Sequence, residues 1–461
     1  MHKNIETLKI NNPYDNTVVG EVPLLNHKTL SSMIKDSANY NANLSLFERS
    51  SILMQAAQLL KTRIQEASNL ITSETGLCVN DSENEVQRVI NLLELGSHLT
   101  STLTFDHIYN SDNVPNAVRK KIIVTYEPLR LISAITPFNH PMNQVAHKII
   151  PSVSTNNKII IKPSLKAPLS AFYLQNLLYE CGLPKEMFKV VTCSNQVALD
   201  TLVKSDYVDL VAFTGSYKVS EIIAKHCLLK KLILELGGCD PLIILQDANL
   251  ELAVDLAVKG AFKNTGQRCT AVKRILVSNE IADKFIEAFV KKTSNLKYGD
   301  PFDKENFMGT LIDSESASYI HKTINDAINS GAVLIYGNKI KGAVLSPTII
   351  DHTPLDHCIV SEEIFGPVAP IIRFSSAEEA LDIANSSQYG LSAGVVTENL
   401  NIATYMIKNL KTGMVNINDI PGFRSEIAPF GGIKKSGLGI KEGLVESMRN
   451  FQNAKVYSYP W

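Results

Sequence analysis

Apolar residues recur at helical spacing over residues 46–70 (LFERSSILMQAAQLLKTRIQEASNL) and again over 83–99, the signature of amphipathic helices. From residue 121 the pattern changes. Short, β-branched apolar runs stand at Lys121–Thr125, Leu131–Ile135, Lys158–Ile161, Lys189–Thr192, Leu210–Phe213 and Leu232–Leu234, with helical stretches such as 167–181 and 217–228 between them. Strand–helix alternation of this kind predicts parallel βαβ units. A second series runs from Pro241 to about Val415, with helices near 249–264 and 280–294, so two α/β domains in tandem are expected. The tail, 447–461, ends in a β-prone aromatic segment. It reads either as a strand that pairs with another subunit's sheet edge or as one that docks on its own domain.

The chain has 461 residues. At roughly 100–200 residues per domain this gives two to four domains, and a single core stops growing beyond about 250–300 residues. Lys and Arg number 45 and Asp and Glu 46, so there is no basic footprint for nucleic acid. A hydrophobic content of 45% excludes collagen-like and disordered chains. No window approaches about 18 consecutive apolar residues, so no transmembrane helix is expected. The N-terminal MHKNIETLKINNPYDN has neither an apolar core nor a small-residue cleavage site, so it does not read as a secretory signal. The seven cysteines form no CxxC pair and no cluster with zinc spacing, so no metal is expected. Free thiols in a reducing cytoplasm are the natural reading, and any one of them is available as a nucleophile.

Seven segments carry candidate chemistry. In FKNTGQRCTAVKRILV (262–277), Cys269 follows Gly266-Gln267-Arg268. A neighbouring cation lowers a thiol's pKa and raises its thiolate fraction, although the same residues also describe an ordinary buried cysteine. In LILELGGCDPLII (232–244), Glu235 ends an apolar strand, where partial burial raises a carboxyl toward the range of a general base. A capping or salt-bridged glutamate reads equally well. In ITPFNHPMN (135–143), Asn139 sits in a Pro-bracketed turn; its amide can donate to an oxyanion or serve only the turn. Lys162 ends the strand of IIIKPSLKAP (159–168), where cofactor groups gather in open α/β sheets. Gly215-Ser216 in VAFTGSYKVS (211–220) precedes a helix, a candidate phosphate position. SEEIFGPVAPI (361–371) and the glycine-rich APFGGIKKSGLG (428–439) complete the set.

Together and in this order, ITPFN, IKPS, FTGS, LELGG, GQRCTA, EEIFGP and PFGGIKKSG resemble the aldehyde dehydrogenase superfamily over nearly the whole chain. The resemblance implies an α/β fold with a variant Rossmann cofactor domain (1–109 and 129–236), a second α/β catalytic domain (237–446) and a small β oligomerisation element (110–128 and 447–461). It implies a homodimer or homotetramer. It also implies NAD(P)-dependent oxidation of an aldehyde to its acid. Cys269 matches the nucleophile, Glu235 the general base and Asn139 the oxyanion donor. Lys162 matches the ribose-binding lysine and Ser216 a pyrophosphate contact. Glu363 matches the carboxylate that holds the nicotinamide ribose, with Phe365 beside it. Thr136, Phe138, Ser164 and Gly215 belong to the same cofactor motifs. Glu235 favours hydrolysis of the thioester over transfer to coenzyme A.

Two positions depart from the common pattern. Leu165 stands where many NAD-preferring relatives carry a glutamate, and a leucine does not repel a 2′-phosphate, so NADP is permitted alongside NAD. Ser220 replaces a frequent glycine. Within the superfamily the chain is similar to enzymes of small anionic or hydroxylated aldehydes; ITPFNHPMNQVAHKIIPS and GQRCTAVKR most resemble phosphonoacetaldehyde dehydrogenase, with lactaldehyde and non-phosphorylating glyceraldehyde-3-phosphate dehydrogenases as alternatives. Succinate semialdehyde is a further alternative. Arg88, in NEVQRVI, and Arg268 match the arginines of the anion-handling relatives, and His140 matches a polar wall of that pocket. Guanidiniums suit phosphonate through charge-assisted bonds. The plainer alternative is a surface salt bridge for Arg88 and thiol tuning for Arg268. Arg424 is a weaker candidate near the substrate entrance. A non-catalytic binding relative on the same fold is the competing class, and retention of Asn139, Glu235, Cys269 and Glu363 argues against it.

Overall fold

The computed structural model describes residues 6–460. Five strands, Ile132–Ile135, Ile159–Lys162, Phe188–Val190, Leu210–Thr214 and Lys231–Glu235, build the first sheet. All are parallel. Ile132–Ile135 lies at the centre, the next two strands stack on one side of it and the last two on the other. The strands are short apolar runs because both faces are covered. Ile159 and Ile161 pack under the helices Pro141–Ser154 and Leu169–Glu180, while Ile160 faces Leu30 and Ile34 on the opposite side. That alternation is the two-residue period of a strand.

The helical run expected over 46–70 is two helices, Leu46–Thr62 and Ile64–Thr75. Arg63 leaves helical geometry between them, at φ −118° and ψ 20°, and its guanidinium pairs with Glu180 at 2.8 Å. The bend lets Leu53, Leu60 and Ile71 all reach the core shared with Val86 and Leu93 of the helix Val79–Thr102.

A second sheet has seven strands in the spatial order Val333–Tyr336, Thr348–Asp351, Val368–Phe374, Arg274–Ser278, Pro241–Ile244, Ser392–Val396 and Met414–Ile417. Only the edge strand Val333–Tyr336 is antiparallel. The helix expected over 249–264 ends at Phe262. Asn264, Thr265 and Gly266 all take left-handed backbone angles, which no α-helix continues.

A third, antiparallel sheet joins His107–Asn110, Lys120–Pro128 and Gln452–Pro460. The tail therefore docks on its own chain, with Val456 opposite Val124. Among the described residues no helix is long and apolar enough to cross a membrane, and all seven cysteines are free thiols.

Candidate active site

Two cavities meet at one thiol. A cavity of about 550 Å³ opens beside the first sheet, and one of about 240 Å³ lies on the other side. Asn139, Gln144, Thr214, Glu235, Leu236 and Cys269 line both. The three residues assigned to chemistry from sequence thus converge on one junction.

The left-handed turn after Phe262 delivers Cys269 there. A side chain at Gly266 would place its Cβ 2.2 Å from the Gly366 carbonyl oxygen, so the φ of +67° and the close approach both require glycine. Gln267 fixes the turn to a neighbouring segment: its amide donates to Thr310 O at 3.2 Å and accepts from Ile312 N at 3.0 Å. The Asn139 amide donates one N–H to Gln267 O at 2.9 Å. Asn264 holds that arrangement by donating to Asn139 O at 3.2 Å and Gln267 O at 3.3 Å. The second Asn139 amide hydrogen and the Cys269 N–H bond no acceptor among the described residues.

Arg268 does not lower the Cys269 pKa as expected. Burial pushes the thiol up to about 12, and the carboxylates Glu363 and Asp240 add to the rise. Desolvation outweighs the adjacent guanidinium. Both Glu235 oxygens are buried without a hydrogen-bond partner, and burial, then Glu442, push its pKa well above the ordinary carboxylate range. Glu235 is thus an unpartnered buried carboxyl on the wall that Cys269 also lines.

The larger cavity fits a dinucleotide. Phe138 follows the central strand, Thr214 ends the strand Leu210–Thr214, and Gly215 and Ser216 follow it. These two strands flank the point where the sheet's order reverses, the position at which open α/β sheets bind ligands. Ser216 is also the residue before the helix Tyr217–Cys227. Across the cavity stand Glu363 and Phe365, and Phe365 meets Phe138 edge-on at 5.9 Å. Glu363 accepts from Gly238 N at 3.3 Å; a Cβ at Gly237 would lie 2.1 Å from its oxygen. Burial raises Glu363 to about 7, while Lys273 opposes the rise. Lys166 lines the cavity and pairs with Asp313. Lys162, Thr136 and Ser164 are not among the lining residues. Lys162 is buried at its strand's end, where its carbonyl accepts from Thr136 N at 3.1 Å.

The smaller cavity is ionic. Arg88, Lys259, Lys263, Arg268 and Arg424 face Asp81, Glu85, Glu235 and Glu442 on its wall. Arg88 pairs with Glu426 at 2.6 Å, Lys263 with Asp81 at 3.6 Å and Arg424 with Glu442 at 3.4 Å. Glu442 also pairs with the buried Lys148. His140 sits 3.4 Å from Glu85. Arg268 pairs with no carboxylate among the described residues. Its Nη2 donates to the Lys259 and Gly260 carbonyls at 3.1 and 2.9 Å, and its buried Nε has no partner. All three residues expected to bind substrate (Arg88, His140 and Arg268) therefore reach the cavity.

The sequence matches the aldehyde dehydrogenase family over residues 1–457. The chain belongs to that family. It is 38% identical to the lactaldehyde dehydrogenase of Methanococcus aeolicus, over 98% of this chain and 97% of the relative. It is 36% identical to the sulfoacetaldehyde dehydrogenase of Neptuniibacter caesariensis, over 98% and 99%. A solved structure of glyceraldehyde-3-phosphate dehydrogenase GapN from Methanocaldococcus jannaschii, complexed with NADP, superposes with a TM-score of 0.94 at 36% identity over 100% of both chains. This aldehyde dehydrogenase is accordingly an NAD(P)-dependent oxidoreductase.

Several residues of the aldehyde dehydrogenase site were not apparent from sequence: Lys148, Glu426, Glu442, Lys273 and Gln267. Lys148 carried a signal, because it is a charge in the otherwise apolar run VAHKIIPSV of an almost fully buried helix. Lys273 is buried against the Phe365 ring at 5.3 Å and donates to Gly266 O at 2.6 Å. Burial lowers its pKa to about 8.

Proposed function

We propose that this enzyme oxidises a small anionic aldehyde to its carboxylic acid, with Cys269 as nucleophile. The surplus of positive charge in the smaller cavity carries the substrate assignment. Five basic side chains face four carboxylates there. Arg268, next in sequence to the nucleophile, forms no ion pair. A sulfonate, phosphonate or carboxylate on the aldehyde would supply the missing anion.

The residues divide the chemistry between them. The Cys269 thiolate adds to the carbonyl carbon, and the resulting oxyanion accepts hydrogen bonds from the Asn139 amide and the Cys269 N–H. The nicotinamide cofactor, when bound, supplies the hydride acceptor that the protein lacks. Phe138, Gly215, Ser216, Glu363 and Phe365 would hold it in the larger cavity. Loss of the aldehydic hydrogen leaves a thioester on Cys269. Glu235, once ionised, takes a proton from water, whose oxygen attacks that thioester and releases the acid and the free thiol. Leu165 presents no carboxylate to a 2′-phosphate, so we infer that NADP is accepted as well as NAD. The domain division expected from sequence, and pairing of subunits through the exposed strand Gln452–Pro460, belong to the same proposal.

The test is reduced-cofactor formation with sulfoacetaldehyde, phosphonoacetaldehyde, lactaldehyde, succinate semialdehyde and propanal, using NAD and NADP side by side. The anionic aldehydes should show the higher kcat/KM. Equal values for lactaldehyde or propanal would overturn the anionic assignment and leave the aldehyde dehydrogenase activity standing.

A further inference from the structure

Resting on the anionic-aldehyde reading, we propose that Glu426 sets the charge of the accepted substrate: it neutralises Arg88 and so tunes the cavity to a monoanionic head group, against a dianionic one. Glu426 does not line the cavity. It lies behind Arg88, with Oε1 2.6 Å from Arg88 Nε and only 13% of its side chain exposed. Its other oxygen is 3.5 Å from His147 Nε2. Burial, followed by the charge of Arg424, disfavours a proton on His147; Arg88 is the guanidinium that Glu426 holds, with His147 as its second neighbour.

The neighbouring charges then nearly cancel. Arg88 pairs with Glu426, Lys263 with Asp81, and Lys148 and Arg424 both with Glu442. Lys259 is solvent-exposed at the rim and screened. That leaves Arg268, next to the nucleophile, as the one cation of this group without a carboxylate partner among the described residues, a surplus of one. A monoanion matches that surplus. A dianion brings a second charge that finds no unpaired cation among the buried side chains, and its desolvation then costs more than its attraction returns. Removing the Glu426 charge would free Arg88 and double the surplus. Glu426 is thus a positioning and specificity residue, acting through Arg88 rather than on the substrate.

The experiment uses the full chain with its cofactor and propanal as a neutral reporter substrate. Methanesulfonate and methylphosphonate serve as competitive inhibitors, at a pH above the second phosphonate ionisation. In the unmodified enzyme, methanesulfonate should compete better. In Glu426→Gln, the KM for phosphonoacetaldehyde should fall about 10- to 100-fold relative to that for sulfoacetaldehyde, with the change in KM rather than kcat. Equal or better inhibition of the unmodified enzyme by methylphosphonate would overturn the proposal. So would a KM ratio in Glu426→Gln that stays within about twofold of the original. If the variant fails to fold, the inhibitor comparison on the unmodified enzyme decides alone. If neither anion competes, the anionic-aldehyde reading itself falls, an outcome distinct from a failure of Glu426.

Discussion

The two cavities that meet at Cys269 are built in opposite ways. The larger is lined by short contiguous motifs and by aromatic and aliphatic side chains, with Phe138, Phe365, Ile312 and Ile320 among them. The smaller is lined by charges whose partners lie far away in sequence, 338 residues apart for Arg88 and Glu426 and 294 for Lys148 and Glu442. The first is a backbone device: strand ends, tight turns and close glycine contacts position a large, shared ligand. The second is an electrostatic device in which each cation is worth only what its neighbours leave uncompensated. Changes near the larger cavity should therefore affect every substrate alike, and changes in the smaller one should discriminate among substrates.

The largest expected effect lies at the junction. Cys269→Ser should lower kcat by about 10³-fold or more for every aldehyde, measured by steady-state reduced-cofactor formation. Retention of substrate-selective turnover would remove the thiol from the mechanism. Glu235→Gln should slow only the second half of the reaction. A stopped-flow burst of reduced cofactor equal to the enzyme concentration should precede a steady rate lowered by about 10²–10⁴-fold; a vanished burst would place Glu235 in the first half instead.

Asn139→Ala should cost about 10²–10³ in kcat regardless of substrate charge. If the loss appears in KM for anionic aldehydes alone, the amide belongs to substrate binding rather than to the oxyanion. Arg268→Ala draws the contrast most sharply: the KM for an anionic aldehyde should rise about 10- to 100-fold while propanal changes little. An equal rise for both would make Arg268 a structural tie to the Lys259 and Gly260 carbonyls. The smallest and most general effect is that of pH. Burial raises the Glu235 pKa well above the ordinary carboxylate range and pushes Cys269 up to about 12, and in the proposed mechanism both act in their deprotonated forms. Those forms grow as pH rises, so kcat should increase from neutral into alkaline solution. A decline over that range would contradict the assigned roles.

The same contrast explains what was legible in the sequence. The strands, their order of use and the chemistry-bearing segments were readable because each is local: Glu235 ends its own strand, Gly215-Ser216 follows its own, and GQRCTA is one turn. The break at Arg63 and the left-handed Asn264–Gly266 turn were not, because tertiary packing decides both. The Cys269 pKa was misjudged because the sequence shows the adjacent Arg268 and hides the burial and the carboxylates Glu363 and Asp240 around the sulfur. The ionic wall was half-visible. Arg88, Arg268 and His140 could be named from their motifs, but nothing local shows that Glu426 compensates Arg88 or that Glu85 holds His140.

Covalent capture at Cys269 tests the central claim most directly. Glu235→Gln, mixed with cofactor and an anionic aldehyde and then acid-quenched, can be digested and read by peptide mass spectrometry. The expected result is an acyl mass increment on the peptide containing Cys269, removed by hydroxylamine. Stoichiometric formation of reduced cofactor with that peptide unmodified, or with the increment on Cys239, would contradict a thioester at Cys269.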